Sequence, residues 1–97
     1  MAKFICILKN ERKEKLTADL INKHIEHLKY LKAKGILFLC GLLKNNAGGM
    51  LILEAGTYKE AEAHILQDPL MVNNCYEDYL IYELVEANEE NNYLQDS

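Results

Sequence analysis

Residues 36–43 read ILFLCGLL, apolar at every position except Gly41. A strand with one wet face alternates polar and apolar residues, because successive side chains point to opposite sides of the sheet. This stretch does not alternate, so something has to cover its second face. The chain has 97 residues, the length of one domain. A domain of that size buries only about 60–65% of the surface its unfolded form exposes. Its core is thin, and it has little to spare for a second cover.

The neighbouring segments suggest what the strand belongs to. Residues 2–8, AKFICIL, form an apolar strand pattern, followed by the charged connector KNERKEK. A helix is predicted from Thr17 as N-cap, with Asp19 in its first turn, where a negative charge suits the helix dipole. Leu16 and Ile21 have the spacing of a hydrophobic staple. The helix runs to about Lys34, and Gly35 stands where a left-handed cap belongs. After strand 36–43, the turn KNNAGG leads to a hairpin strand at 50–55, MLILEA. A second helix is predicted over 58–67 and ends at Asp68-Pro69, because the residue before a proline is pushed out of the helical region. Residues 70–76 read as a loop or short turn, and 77–85, EDYLIYELV, as the last strand. Residues 1–87 then form one domain, and 88–97 a polar, acidic tail of low expected order.

The order β-α-β-β-α-β is that of the ferredoxin-like α+β fold, an antiparallel four-stranded sheet with two helices on one face. Its other face is bare, and here the strands are apolar on both sides. An exposed apolar patch of that size marks an interaction surface. The economical cover is a second copy, so a homodimer is expected, its two sheets packed face to face.

Composition removes several function classes. The apolar fraction of 49% and charged fraction of 27% are those of an ordinary globular protein. The net charge of −4 argues against nucleic-acid binding, which wants a basic face. RNA-recognition motifs share this topology, but they stack bases on strand aromatics, and FICIL and MLILEA offer only Phe4. The N-terminus lacks the small-residue cleavage site of a signal peptide, and no segment approaches the roughly 20 apolar residues that span a bilayer. No membrane contact and a cytoplasmic location are therefore expected. Cys6, Cys40 and Cys75 are odd in number and have no metal-ligand spacing, so neither a disulfide framework nor a metal site is expected. Cys6 and Cys40 lie in apolar strands, where a free cysteine behaves as a small hydrophobe.

On a helical wheel, Leu20, Ile21, Leu28 and Leu31 form one apolar arc, and His24 falls inside it. His27 lies at the arc's edge and His64 on the flank of the second helix, and both are expected on the solvated surface. A polar ring on an apolar face needs a partner. His24 is therefore either a core histidine bonded to a carbonyl or a general acid/base, a role that suits a residue titrating near neutral pH. Asp68 is either plain turn chemistry or a carboxylate that orients an imidazole. Nothing in spacing alone brings it to His24; two helices side by side on one sheet face can. Tyr76, Tyr79 and Tyr82 either line a cavity or pack. Tyr79 and Tyr82 fall on opposite faces of their strand.

The run His24-x-x-x-Leu28-x-x-Leu31-x-x-x-Gly35, the strand ending Cys40-Gly41, the Gly48-Gly49 hairpin, Asp68-Pro69-Leu70 and a Tyr-rich last strand resemble the YCII-related family over about residues 2–86. The resemblance implies a dimeric α+β barrel built of ferredoxin-like protomers, with no typical metal or organic cofactor. It also implies an active site of His24 and Asp68, and lyase or dehalogenase-type chemistry on small ring compounds. The chain departs from the family pattern twice. An arginine common before the histidine is replaced by Ile21-Asn22-Lys23, and Cys40-Gly41-Leu42 stands where a small residue, glycine and proline are favoured. Lys23 can stand in as a point charge but cannot copy a bidentate guanidinium.

The expected function is thus a cofactor-independent acid/base enzyme. His24 moves a proton on a small organic substrate, in an elimination, dehalogenation or isomerisation, and Asp68 holds the imidazole. Cys40, near the mouth of the cleft, and Tyr76 are substrate-binding candidates; as a nucleophile Cys40 lacks an evident activating base. The alternative is a non-catalytic dimeric module that binds a small ligand or another protein in the same cavity.

Overall fold

The computed structural model describes residues 1–45 and 47–95. Asn46 of the expected turn and the last two residues of the tail lie outside the described residues.

The strands are β1 (Ala2–Glu11), β2 (Leu37–Leu43), β3 (Gly48–Ala55) and β4 (Tyr76–Leu84), and the helices are α1 (Ala18–Ala33), α2 (Tyr58–Leu66) and the short α3 (Pro69–Val72). They form one four-stranded sheet in the order β2-β3-β1-β4, every neighbouring pair antiparallel. This is the ferredoxin-like α+β arrangement, with β1 central because the two βαβ halves interleave.

The local signals act as their chemistry requires. Thr17 accepts a hydrogen bond from the Leu20 amide at 3.1 Å and caps α1. At the other end Gly35 takes φ 74°. Its amide bonds to the Lys32 carbonyl and the Ile36 amide to that of Leu31, the paired bonds of a Schellman cap. Four elements depart from the sequence reading. β1 runs on to Glu11, because β4 pairs with it as far as Glu11↔Tyr76. β3 begins at Gly48 rather than residue 50, and β4 at Tyr76. Residues 69–72 are a helical turn rather than a loop: Pro69 sits at N1, where its missing N–H costs nothing, and Asp68 caps it. The tail contains a turn pinned by reciprocal bonds between Asn88 and Asn91.

The core lies between the sheet and the helices. Phe4, Cys6 and Leu8 of β1, Leu51 and Leu53 of β3, Leu31 of α1 and Ile65 of α2 are among its buried members. Alternation along β1 and β3 turns Ile5, Ile7 and Ile52 to the opposite face, where no helix lies. The same face carries exposed Leu39, Leu80 and Tyr82.

Gly48 is the position that lets the hairpin close on β1. Its φ is +118°, and a Cβ there would stand 2.0 Å from the Leu8 carbonyl oxygen. Neither the backbone angle nor the approach tolerates a side chain. A Cβ on Gly41 would meet nothing within 4 Å. In denaturant unfolding, Gly48→Ala is expected to lose about 2–4 kcal/mol, while Gly41→Ala stays within about 1 kcal/mol of the parent.

Candidate functional site

His24 lies on α1, on the side that faces the sheet and α3. Its Nδ1 stands 2.7 Å from Asp68 Oδ2 and 2.9 Å from Oδ1. Asp68 is 1% exposed, the one buried charged residue among those described. Its Oδ1 also accepts from the Leu70 amide at 2.9 Å. An ionised carboxylate can only accept, so Nδ1 of His24 donates. The Nε2 atom of the neutral ring is then left with its lone pair. The two residues stand 44 apart in sequence, and the structure brings them together by setting α1 beside the α2–α3 corner.

His24, with Asp68 behind it, opens on a cleft of about 420 Å³ between α1 and the sheet. Leu8, Leu28, Leu51 and Leu70 supply apolar walls, and His24, Cys40, Tyr76 and Glu11 the ionisable groups. Cys40 pairs with Leu51 in the sheet register, so its side chain points to the helix side. It is exposed, which corrects the reading of Cys40 as a small hydrophobe within a strand: β2 is an edge strand and α1 does not reach over it. Tyr76 is 7% exposed, with its hydroxyl against Gly49, where a Cβ would stand 3.4 Å away. Burial raises the Tyr76 phenol above its ordinary value, and the Glu11 and Asp68 carboxylates raise it further.

Two other histidines are placed differently from expectation. His27 and His64 are half-buried rather than solvated. The His27 Nε2 donates to the His64 carbonyl at 3.0 Å, a bond between α1 and α2, and the His64 Nδ1 is buried without a partner among the described residues. Their wheel positions looked outward because a wheel shows one helix and not its neighbour. Tyr79 sits on the helix side of β4 and donates to Glu62 at 2.9 Å, a bond that holds its phenol above the ordinary value. Lys23 pairs with Asp19 at 3.2 Å on the outer surface of α1 and does not line the cleft. Glu11 was not singled out from the sequence. The one signal for it was Asn10, a residue type that tolerates left-handed backbone and so can break a strand's alternation.

No group of three or more His, Cys, Asp or Glu side chains is placed to hold a metal ion among the described residues. No described helix is long and apolar enough to cross a membrane.

The three thiols differ sharply. Burial pushes the Cys6 thiol up to about 12 and raises that of Cys75, whose Sγ also donates to the Lys15 carbonyl. The thiolate is the reactive form, so both are silent near neutral pH. In the native protein a disulfide reagent such as DTNB is expected to titrate one fast equivalent. Cys40→Ser should abolish it; a fast equivalent that survives that substitution would contradict the placement.

Comparison with known proteins places the chain. A solved structure of a 5-chloro-2-hydroxyhydroquinone dehydrochlorinase from Burkholderia phenoliruptrix AC1100, in complex with 2,5-dihydroxybenzoquinone, is similar, with a TM-score of 0.62 and 20% identity. The match covers 91% of this chain and 97% of that one, and at this identity it speaks for the fold alone. No curated protein sequence matches. The family model of the YCII-related domain matches residues 2–85, nearly all of the chain before the tail, and the chain belongs to that family.

Proposed function

We propose that the chain is a small cofactor-independent enzyme that uses His24 as a general base, and then acid, on a small organic substrate. The observation that carries this reading is the buried Asp68 carboxylate bonded to His24 Nδ1 at the wall of an apolar cleft. In an elimination, Nε2 takes a proton from a substrate carbon. The C–H electron pair becomes the new double bond, and the leaving group departs on the far side with its own pair. The imidazolium then returns its proton to water or to the leaving anion, and Asp68 stabilises it meanwhile. Apolar walls exclude water from the reacting atoms. Cys40 and Tyr76 contact the bound molecule. The similar dehydrochlorinase makes loss of hydrogen chloride the first reaction to test.

With 5-chloro-2-hydroxyhydroquinone as probe, chloride release is the readout. His24→Gln is expected to cut kcat by about 10²-fold or more, and Asp68→Asn by about tenfold or more. A rate that survives His24→Gln sinks the reading. Nitrogen NMR tests the pair without substrate. At a pH where the ring is neutral, the wild type should show one His24 tautomer, protonated at Nδ1, and Asp68→Asn should mix the two tautomers. An unchanged tautomer in the variant would mean that the two residues are not coupled.

The working unit in this proposal is a homodimer. Ile5, Ile7, Ile52, Leu39, Leu80 and Tyr82 share the sheet face that bears no helix, and a second copy of the same sheet is the economical cover. Sedimentation equilibrium should return twice 11.2 kDa. Leu39→Lys with Leu80→Lys, both exposed in the single chain, should halve that mass. A monomeric parent chain would overturn the dimer.

A further inference from the structure

We infer that residues 85–95 form an arm that crosses to a second copy of this chain, where its acidic turn docks in a depression lined by Lys9 and Lys13. The inference rests on the homodimer proposed above and adds a contact that the sheet face alone does not supply.

The arm follows the stretch shared with the family and is exposed along its whole length, with Val85 at 66%, Tyr93 at 57% and Leu94 at 50%. Glu86 pairs with Lys3 at 3.3 Å. Beyond that pair, the hydrogen bonds of residues 87–95 stay within residues 86–95 among the described residues. The turn is nevertheless closely specified. Asn88 and Asn91 bond reciprocally, and the Asn91 side chain also accepts from the Leu94 amide at 3.2 Å. Asn92, Tyr93 and Leu94 all take left-handed backbone, with φ of 53°, 51° and 65°, a conformation that L side chains rarely adopt. That geometry sets two large apolar side chains in water. The radius of gyration is 14.8 Å, against about 12.5 Å for a compact domain of this length, and records the projection.

Charge separates the arm from the rest of the chain. Residues 85–97 hold Glu86, Glu89, Glu90 and Asp96 and no lysine or arginine, so the net charge of −4 is carried there and residues 1–84 sum to zero. An arm of one sign is attracted to lysines that have no acid of their own. Lys9 and Lys13 line a depression of about 510 Å³ with Asn10, Glu11 and Ala47, and neither lysine is in an ion pair among the described residues. Glu11 is the single acid of that lining, so positive charge is in excess. Geometry makes the docking reciprocal. The arm leaves the sheet beside Lys3, because Leu84 pairs with Lys3. Lys3 lies on the helix-free face, where its ammonium also meets Glu54 at 3.6 Å and the Phe38 ring. Lys9 is on the same face, about 20 Å further along β1. A two-fold axis across the strands lays two such faces together, with the Lys3 end of each over the Lys9 end of the other. Each arm then meets the depression of the second copy, and Tyr93 and Leu94 lose water as it docks.

The test mixes two charge-reversed full chains. Glu89→Lys with Glu90→Lys puts bases on the arm, and Lys9→Glu with Lys13→Glu puts acids in the depression; all four positions are exposed. Dimer dissociation constants are measured by sedimentation at low ionic strength, where exposed charges are least screened. Each variant alone is expected to dimerise about tenfold or more weakly than the parent, because like charges meet twice in a two-fold dimer. Equal mixing should restore the parent's constant to within about threefold, since each arm then finds a depression of opposite charge. An arm docked on its own chain is not rescued by mixing, so variants that stay weak together overturn the crossing. Variants that each dimerise as tightly as the parent overturn the arm and leave the packing of the two sheets intact. A monomeric parent removes the dimer and the arm together. Tyr93→Ser with Leu94→Ser is expected to weaken the dimer about fivefold or more, and an unchanged constant overturns the apolar part of the contact.

Discussion

The buried carboxylate of Asp68 is the constraint around which the helix layer is arranged. An ionised group at 1% exposure is tolerable only when donors meet it. Two do: the Leu70 amide and His24 Nδ1. The first bond caps α3, which starts at Pro69, so the chain turns a corner at the end of α2. The second comes from α1, the other crossover. One side chain therefore sets the angle of the corner and fixes the helix that faces it. Replacing the carboxylate with an apolar group would leave both donors without a partner, and each unmet buried donor costs about 1–3 kcal/mol.

The same arrangement explains why there is a cleft at all. α1 leans toward α3 to reach Asp68, and α2 packs over β1 and β3 with Ile65 and Ala61 buried. β2, at the sheet edge, is left without a full cover on its helix side. The gap is walled by leucines from the sheet and the helices, with the polar groups few and at its ends. Small-molecule sites are usually apolar with a few fixed polar groups. Here one of those groups is held from behind by a carboxylate and another, Tyr76, by the walls of its own pocket.

Much of this was legible in the residues, and what was not has physical causes. Thr17, Gly35 and Asp68-Pro69 punctuate the chain through local chemistry, so the order of elements and the ferredoxin-like fold followed from them. Helical phase put His24 on the inner face. Phase could not show that Asp68 meets it, since that contact spans 44 residues and depends on how two helices pack. It also misjudged His27 and His64, because the bond that half-buries them comes from the adjacent helix. Cys40 was misread because strand periodicity gives the side a residue points to and not whether anything lies over it. Glu11 was missed because one backbone angle, at Asn10, undoes the alternation that strand reading assumes.

The unbroken apolar run of residues 36–43 has a related origin. Leu37 pairs with Leu53 on the helix side, but Leu39 pairs with Ile52 on the other, so a bulge between them adds a residue and reverses the alternation. Phe38, at the bulge, lies under the Lys3 ammonium at 5.1 Å. A strand that changes phase in its middle cannot show a clean period of two. Past the bulge, Cys40 and Leu42 face the cleft side and Leu39 the helix-free side. Both sides are apolar environments, so neither calls for a polar residue. The missing alternation therefore records two surfaces on one edge strand: the wall of a cleft on one side, and on the other the sheet face that has no helix.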